Sequence, residues 1–134
     1  MLDVEVPAWW QQLGLPGLVD VHVHFMPKPV MDAVWRYLDN AGEHYGASWP
    51  VHYRGTDDER LDTLRGLGVR VFTALLYPHK PGMAEGLSAW AREFAAKTPG
   101  CVPTGTFYPE ASAREYVRDA IANGTRVCKA HLQV

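Results

Sequence analysis

The chain has 134 residues, of which 47% are hydrophobic and 21% charged, which suits one soluble domain with a core. A formal net charge of -2 and the absence of a basic run argue against nucleic acid as a partner. The two cysteines lack zinc-type spacing, and no apolar run is long enough to predict a membrane span. Because its start also lacks a signal-peptide pattern, we expect a cytoplasmic protein.

The first part of the chain predicts a lead-in segment, a strand, a helix and an irregular insertion. Residues 1–16 hold two tryptophans and end near a Gly-Leu-Pro-Gly turn, so we expect them to pack on the outside of the domain. A strand is predicted near residues 18–24, and the apolar spacing of residues 28–40 is typical of an amphipathic helix. Residues 41–58 show no period and are expected to be irregular.

The rest of the chain alternates helices and strands. Asp57 or Asp58 is predicted to cap a short helix, and a later helix is predicted to start near Ala111. Three further strands are predicted, at residues 69–77, 101–109 and 126–134. Alternation of this kind without a hairpin signal predicts an α/β fold with a parallel sheet and right-handed crossovers.

Polar residues line one side of two predicted strands. Asp20, His22 and His24 are two residues apart, so a regular strand places them on one face, and Lys129 and His131 have the same spacing on the fourth strand. The residues between the latter two positions are expected to pack against helices: Cys128, Ala130 and Leu132. Because functional groups collect at the C-terminal ends of parallel strands, the sequence predicts one polar site there.

The two histidines of the first strand predict a metal site. Buried ionisable groups cost several kcal/mol unless they are paired or bind a metal. Parallel imidazoles at His22 and His24 can share one cation at about 2.0–2.1 Å. The alternative is that both join a hydrogen-bonded core network with Asp20.

Other polar residues near the strand ends are weaker candidates. Tyr77, His79 and Lys80 follow the second predicted strand, and the last two either contact substrate or belong to an exposed loop. Glu110 follows the third strand and is expected to cap the next helix rather than face the site. The two cysteines are interpreted as packing residues.

Three segments resemble the amidohydrolase superfamily. "LPGLVDVHVHFMP" looks like the first-strand signature of these metal-dependent (β/α)₈-barrel hydrolases, and "KPVMDAVWRYLD" and "GTRVCKAHLQV" resemble its amidohydrolase-2 branch. That branch includes aminocarboxymuconate-semialdehyde decarboxylase and related hydrolases, decarboxylases and hydratases. The resemblance implies that residues 1–134 are a single partial domain, the N-terminal half of such a barrel, with about four parallel strands and crossover helices.

The resemblance also implies roles for single residues. His22 and His24 match the first-strand metal ligands, with zinc as the expected ion, and Asp20 matches the acid that would hold the imidazoles. His131 matches a strand-four histidine that faces the active site, and Lys129 would be structural or face the substrate. The implied activity is hydrolysis of a C–N, C–O or C–C bond, or non-oxidative decarboxylation, of a small-molecule substrate.

A complete barrel of this kind needs about 250 residues. The family's fifth-strand histidine and eighth-strand aspartate have no counterpart here, so the chain alone is expected to be inactive and to aggregate or form a homo-oligomer. Two other hypotheses stay open. One is a non-catalytic metal-binding or assembly fragment, and the other is a doubly wound domain that binds a small molecule.

Overall fold

The chain folds into alternating helices and parallel strands, and the computed structural model describes residues 2–131. The helices, which follow a 3₁₀ turn at Asp3–Glu5, are α1 (Val6–Gln12), α2 (Lys28–Asp39), α3 (Ala41–Tyr45), α4 (Asp57–Gly66), α5 (Ala84–Lys97) and α6 (Ala113–Ala122). The strands are β1 (Leu18–Asp20), β2 (Val69–Thr73), β3 (Cys101–Val102), β4 (Thr104–Thr106) and β5 (Val127–Lys129). The predicted α/β class is confirmed. Within residues 2–131, no helix has the length and apolar character needed to cross a membrane.

The strands form two short sheets in which every pair is parallel. β2 lies between β1 and β3, and β4 pairs with β5. The predicted third strand is divided at Pro103, which has no N–H to donate to a ladder. The Pro103 carbonyl instead accepts from the Arg126 N–H at 2.8 Å. Four parallel segments therefore follow one another in chain order, and the third contributes to both sheets.

The first strand is shorter and less regular than predicted. β1 ends at Asp20, and the ladder resumes only at a bridge between His24 and Leu75. Asp20 pairs with Phe72 and His24 pairs with Leu75, so four residue steps on the first segment correspond to three on the second. Residues 21–23 are not part of a strand, so the regular alternation that predicted one shared face for Asp20, His22 and His24 does not continue through this segment.

The segment predicted as irregular begins with a helix. α3 takes the first five residues of 41–58, and α4 begins near its end. The cap of α4 is Thr56, whose hydroxyl accepts from the Glu59 N–H at 3.3 Å while the Glu59 carboxylate accepts from the Thr56 N–H at 2.8 Å. This reciprocal capping box places Asp57 and Asp58 inside the first turn, so neither is the cap that the sequence predicted.

Helices cover one side of the three-stranded sheet. One buried cluster lies between β2, α4 and α5 and contains Phe25, Leu61, Phe72 and Ala74. A second cluster lies around α2 and α5 and contains Met26, Met31, Leu76, Leu87 and Ala91.

The lead-in segment is attached by Trp10, whose Nε1–H donates to the Leu67 carbonyl at 3.0 Å. These contacts fix the strand ends on which the polar residues lie.

Candidate functional site

Five polar side chains meet at the C-terminal ends of the strand segments. We call them the strand-end cluster, and its members are His22, His24, Tyr77, Lys129 and His131. The link between the first and last segments is direct, since Lys129 Nζ lies 3.1 Å from His22 Nε2. The predicted convergence of the first and fourth strands is thus confirmed, while the metal-binding and catalytic roles of these residues stay predictions.

The His22 and His24 rings lie side by side. Their centroids are 5.1 Å apart, and the ring planes are tilted by 58°. His24 Nδ1 lies 3.1 Å from the Leu75 carbonyl oxygen, which can only accept, so Nδ1 carries the proton and Nε2 keeps its lone pair. Two imidazoles that share one tetrahedral ion at about 2.0–2.1 Å have centroids about 5 Å apart. The spacing of this pair therefore suits a shared ion.

Lys129 supplies the positive charge of the cluster. Its ammonium group donates to His22 Nε2 and lies 5.6 Å from the centroid of the Tyr77 ring. Burial lowers the pKa of Lys129. None of the salt bridges found within residues 2–131 includes a residue of the cluster. The cluster therefore presents a cationic surface that suits an anionic oxygen on a ligand.

Two histidines of the cluster, His24 and His131, favour the neutral form. Burial, and then the charges of Lys129 and His22, lower the pKa of His24 to about 4. Burial and the charge of Lys129 also lower the pKa of His131. Neutral imidazole is the form that binds metal ions and accepts protons. Both residues are thus in the state that a metal ligand or a general base requires.

Tyr77 packs between two of these histidines. Its ring is stacked on His131, with centroids 4.4 Å apart and planes 15° apart, and it meets His24 edge-on at 5.7 Å. Burial raises the pKa of Tyr77, so its phenol stays neutral. Sequence reasoning placed Tyr77 at a strand end but gave it no role, although the same strand-end rule that selected the histidines applies to it.

Arg60 supports the cluster from α4 and was missed by sequence reasoning. Its guanidinium donates from Nη2 to the His24 carbonyl and lies 4.4 Å from the centroid of the Phe25 ring. Burial lowers the pKa of Arg60, while Asp57, 3.7 Å away, partly offsets this effect. No local signal marks Arg60, because its contact with the first strand segment exists only in the folded chain.

Two acids do not have the roles that the sequence predicted. Asp20 Oδ1 accepts from the backbone N–H of His22 at 2.9 Å, so it fixes the backbone turn before the histidine pair rather than an imidazole. Glu110 Oε2 accepts from the Gly82 N–H at 2.9 Å and ties two loops together. The cap of α6 is Ser112, so the prediction that Glu110 caps this helix is wrong.

The other loop and strand candidates lie outside the cluster. His79 and Lys80 are exposed on the loop that follows β2. Cys128 Sγ lies beside Gly105 of β4, and Cys128 and Lys129 are on opposite sides of β5, as expected. Cys128 is nevertheless exposed. Ala130 is exposed as well, so the prediction that these two residues are buried against helices is wrong. Leu132 lies outside the described residues.

The donor set for a metal is small. Among residues 2–131, no group of three or more His, Cys, Asp or Glu side chains is arranged to hold an ion. The strand-end cluster thus offers two imidazole ligands, from His22 and His24. A lysine and a third histidine stand beside them.

The fold and the cluster define an α/β protein with a cationic, histidine-rich site at the ends of parallel strands. The chain was compared with known protein families, with curated proteins and with solved structures, and none of them matches it. What the site can do follows from its own chemistry.

Proposed function

We propose that the chain carries the metal-binding part of a hydrolase or carboxy-lyase of the amidohydrolase-2 type, with His22 and His24 as ligands of a divalent ion. The geometry of this pair carries the proposal, because the ring centroids are 5.1 Å apart. Support also comes from the Leu75 carbonyl, which leaves His24 Nε2 available. Zinc is the expected ion, since imidazole is one of its preferred ligands.

We also propose that the four parallel segments are the N-terminal half of a (β/α)₈ barrel. Their consecutive parallel order and the helices between them support this interpretation. So does the position of the polar cluster, since barrel enzymes carry their active sites at the C-terminal ends of the strands. Within residues 2–131, β1 and β5 each have a single strand neighbour, so both edges are open for further strands.

The residues fit a divalent ion in part. The imidazoles of His22 and His24 supply two of the three protein ligands that are usual in a catalytic zinc site. No third His, Cys, Asp or Glu joins them among residues 2–131. When bound, such an ion polarises a carbonyl or carboxylate and lowers the pKa of its water.

The remaining cluster residues would bind and orient the substrate. The Lys129 ammonium must leave His22 Nε2 before that nitrogen can hold an ion, and its flexible four-carbon stem allows this movement. It can then donate to an anionic oxygen of the substrate. His131 adds a neutral imidazole that can hold or move a proton. A small molecule with a carboxylate or a polarised carbonyl is therefore the proposed substrate class.

Metal titration of single-histidine variants tests the proposal. Zinc affinity, measured by calorimetry, should fall at least about tenfold in His22→Ala and in His24→Ala, because even loss of an outer-shell partner costs 10–100-fold in many sites. His52→Ala is the matched control, since His52 is exposed and lies outside the cluster. Unchanged affinity in His22→Ala and His24→Ala, or an equal loss in His52→Ala, would count against the assignment.

A non-catalytic metal-binding module is the second candidate. It is favoured by the donor set, because residues 2–131 provide two imidazoles without a carboxylate that could complete the site. Turnover assays with ester, amide and unsaturated-acid substrates separate the two candidates when they are run on the zinc-loaded product of the whole reading frame, because a half barrel alone is expected to be inactive. Zinc binding that depends on His22 and His24 without turnover by that product would favour the module.

A further inference from the structure

The ring of Tyr77 lies between two histidines that come from distant parts of the chain. It stacks face to face on His131 with centroids 4.4 Å apart, and it is perpendicular to the His24 ring, whose centroid is 5.7 Å away. Lys129 Nζ is 5.6 Å from the centroid of the same ring. Tyr77 therefore joins the segment that follows β1 to the segment that follows β5, although these strands lie in different sheets.

The three histidines of the cluster differ in what fixes their rings. His24 is held by the Leu75 carbonyl, and His22 accepts from the Lys129 ammonium. His131 Nδ1, in contrast, is buried and has no hydrogen-bond partner among residues 2–131. A functional imidazole is usually oriented by a hydrogen bond from its second nitrogen. For His131, the stacked Tyr77 ring takes the place of that restraint.

We propose that Tyr77 is a positioning residue, which holds the His131 imidazole in the strand-end cluster through its aromatic ring. Tyr77 is itself fixed, because it packs against the buried core cluster that contains Leu76. The end of the second strand segment thus orients two histidines, His24 through the Leu75 carbonyl and His131 through a ring. Because the contact uses the ring and not the hydroxyl, phenylalanine should replace Tyr77 in this role.

The inference rests on the proposed function only for what His131 does to a substrate. Zinc binding by His22 and His24 can be absent while His131 remains stacked on Tyr77. The stack can equally be absent while zinc binds. The calorimetric test and the test of the stack therefore fail separately.

NMR of the 134-residue protein with isotope-labelled histidine tests the stack directly. The wild-type protein should give NOEs between the Tyr77 and His131 rings and upfield ring-current shifts of the carbon-bound His131 protons. Tyr77→Phe should keep both signatures. Tyr77→Leu keeps an apolar side chain without an aromatic face and should lose them. Absence of the NOEs in the wild-type protein, or loss of the ring-current shift in Tyr77→Phe, would overturn the proposal.

The rate of modification by diethyl pyrocarbonate gives a quantitative readout. His131 should react roughly fivefold faster in Tyr77→Leu than in the wild-type protein, since the stack no longer shields it, and at the wild-type rate in Tyr77→Phe. The exposed His52 and His79 are internal controls whose rates should not change. Equal rates at His131 in all three proteins would refute the positioning role. If Tyr77→Leu exposes every histidine because it does not fold, the presence or absence of the Tyr77–His131 NOEs in the wild-type protein decides whether the stack exists.

Discussion

The two faces of the three-stranded sheet differ sharply, and adjacent residues of β2 display the contrast. Phe72 is 5% exposed and packs against Phe25 with ring centroids 5.8 Å apart, under α4 and α5. Val71, one residue earlier, is 38% exposed, and its register partner Val19 is 67% exposed. The helix-covered face therefore has a complete apolar core, whereas the opposite face has no such cover within residues 2–131.

The strand-end cluster lies next to buried residues of the covered face, and these residues give it rigidity. His24 is followed directly by Phe25, and Tyr77 is preceded directly by Leu76, and both apolar neighbours are fully buried. A polar site keeps its geometry when the elements that carry it are locked by packing. This sheet therefore buries one face for stability and carries its polar side chains at the strand ends.

The largest effect is expected from opening a cavity in the covered face. Phe72→Ala should lower the free energy of unfolding by about 3–5 kcal/mol, because it removes a buried ring whose neighbours cannot fully close the space. Val71→Ala is the matched control on the same strand, and its cost should stay near 1 kcal/mol. Urea unfolding followed by circular dichroism measures both. Equal losses in the two variants would mean that the faces do not differ in packing.

The strand-end cluster was predictable from the sequence because it depends on two local rules. Alternation places Lys129 opposite to Cys128 on β5, and parallel strands bring their C-terminal ends together. The contact between Lys129 and His22 agrees with the second rule, although the first segment is not a regular strand at His22. The parallel α/β class follows from the order of elements in the same way.

The details that failed depend on interactions between distant segments or on single backbone choices. Asp20 turns to the His22 N–H because a short acid competes for nearby backbone donors, and this choice breaks the regular alternation. The contact of Arg60 with the His24 carbonyl needs the packing of α4 against the sheet. Glu110 binds Gly82 because two loops come together in the fold. None of these contacts has a periodic signature in the sequence.

The second effect is a dependence of stability on pH that originates in the cluster. The pKa of His24 is lowered from its ordinary value of 6.5 to about 4 in the folded protein, chiefly by burial. Between these pH values His24 is protonated in the unfolded chain but neutral in the folded protein. The free energy of unfolding is therefore highest above about pH 6.5 and falls as the pH drops toward 4. The loss should reach up to roughly 3 kcal/mol.

Unfolding of the metal-free protein from pH 4 to pH 7, with a chelator present, measures this term. His24→Gln should flatten the curve over that window, because the titrating group is gone. His79→Gln is the control, since His79 is exposed and lies outside the cluster. Parallel curves for the wild-type protein and His24→Gln would show that burial at the strand ends does not suppress protonation of this ring.

The smallest effect on stability, with the clearest effect on association, is expected on the open face. Val19→Thr combined with Val71→Thr keeps β-branched side chains on the strands, and both positions are exposed, so the free energy of unfolding should change by less than about 0.5 kcal/mol. Exposed apolar residues beside the open edge of β1 favour contact with another chain. The wild-type protein should therefore form oligomers or aggregates at high concentration, and the double variant should form fewer. Light scattering across a concentration series measures the difference. If the wild-type protein stays monomeric throughout, the open face does not drive association, and the contrast between the faces is one of packing alone.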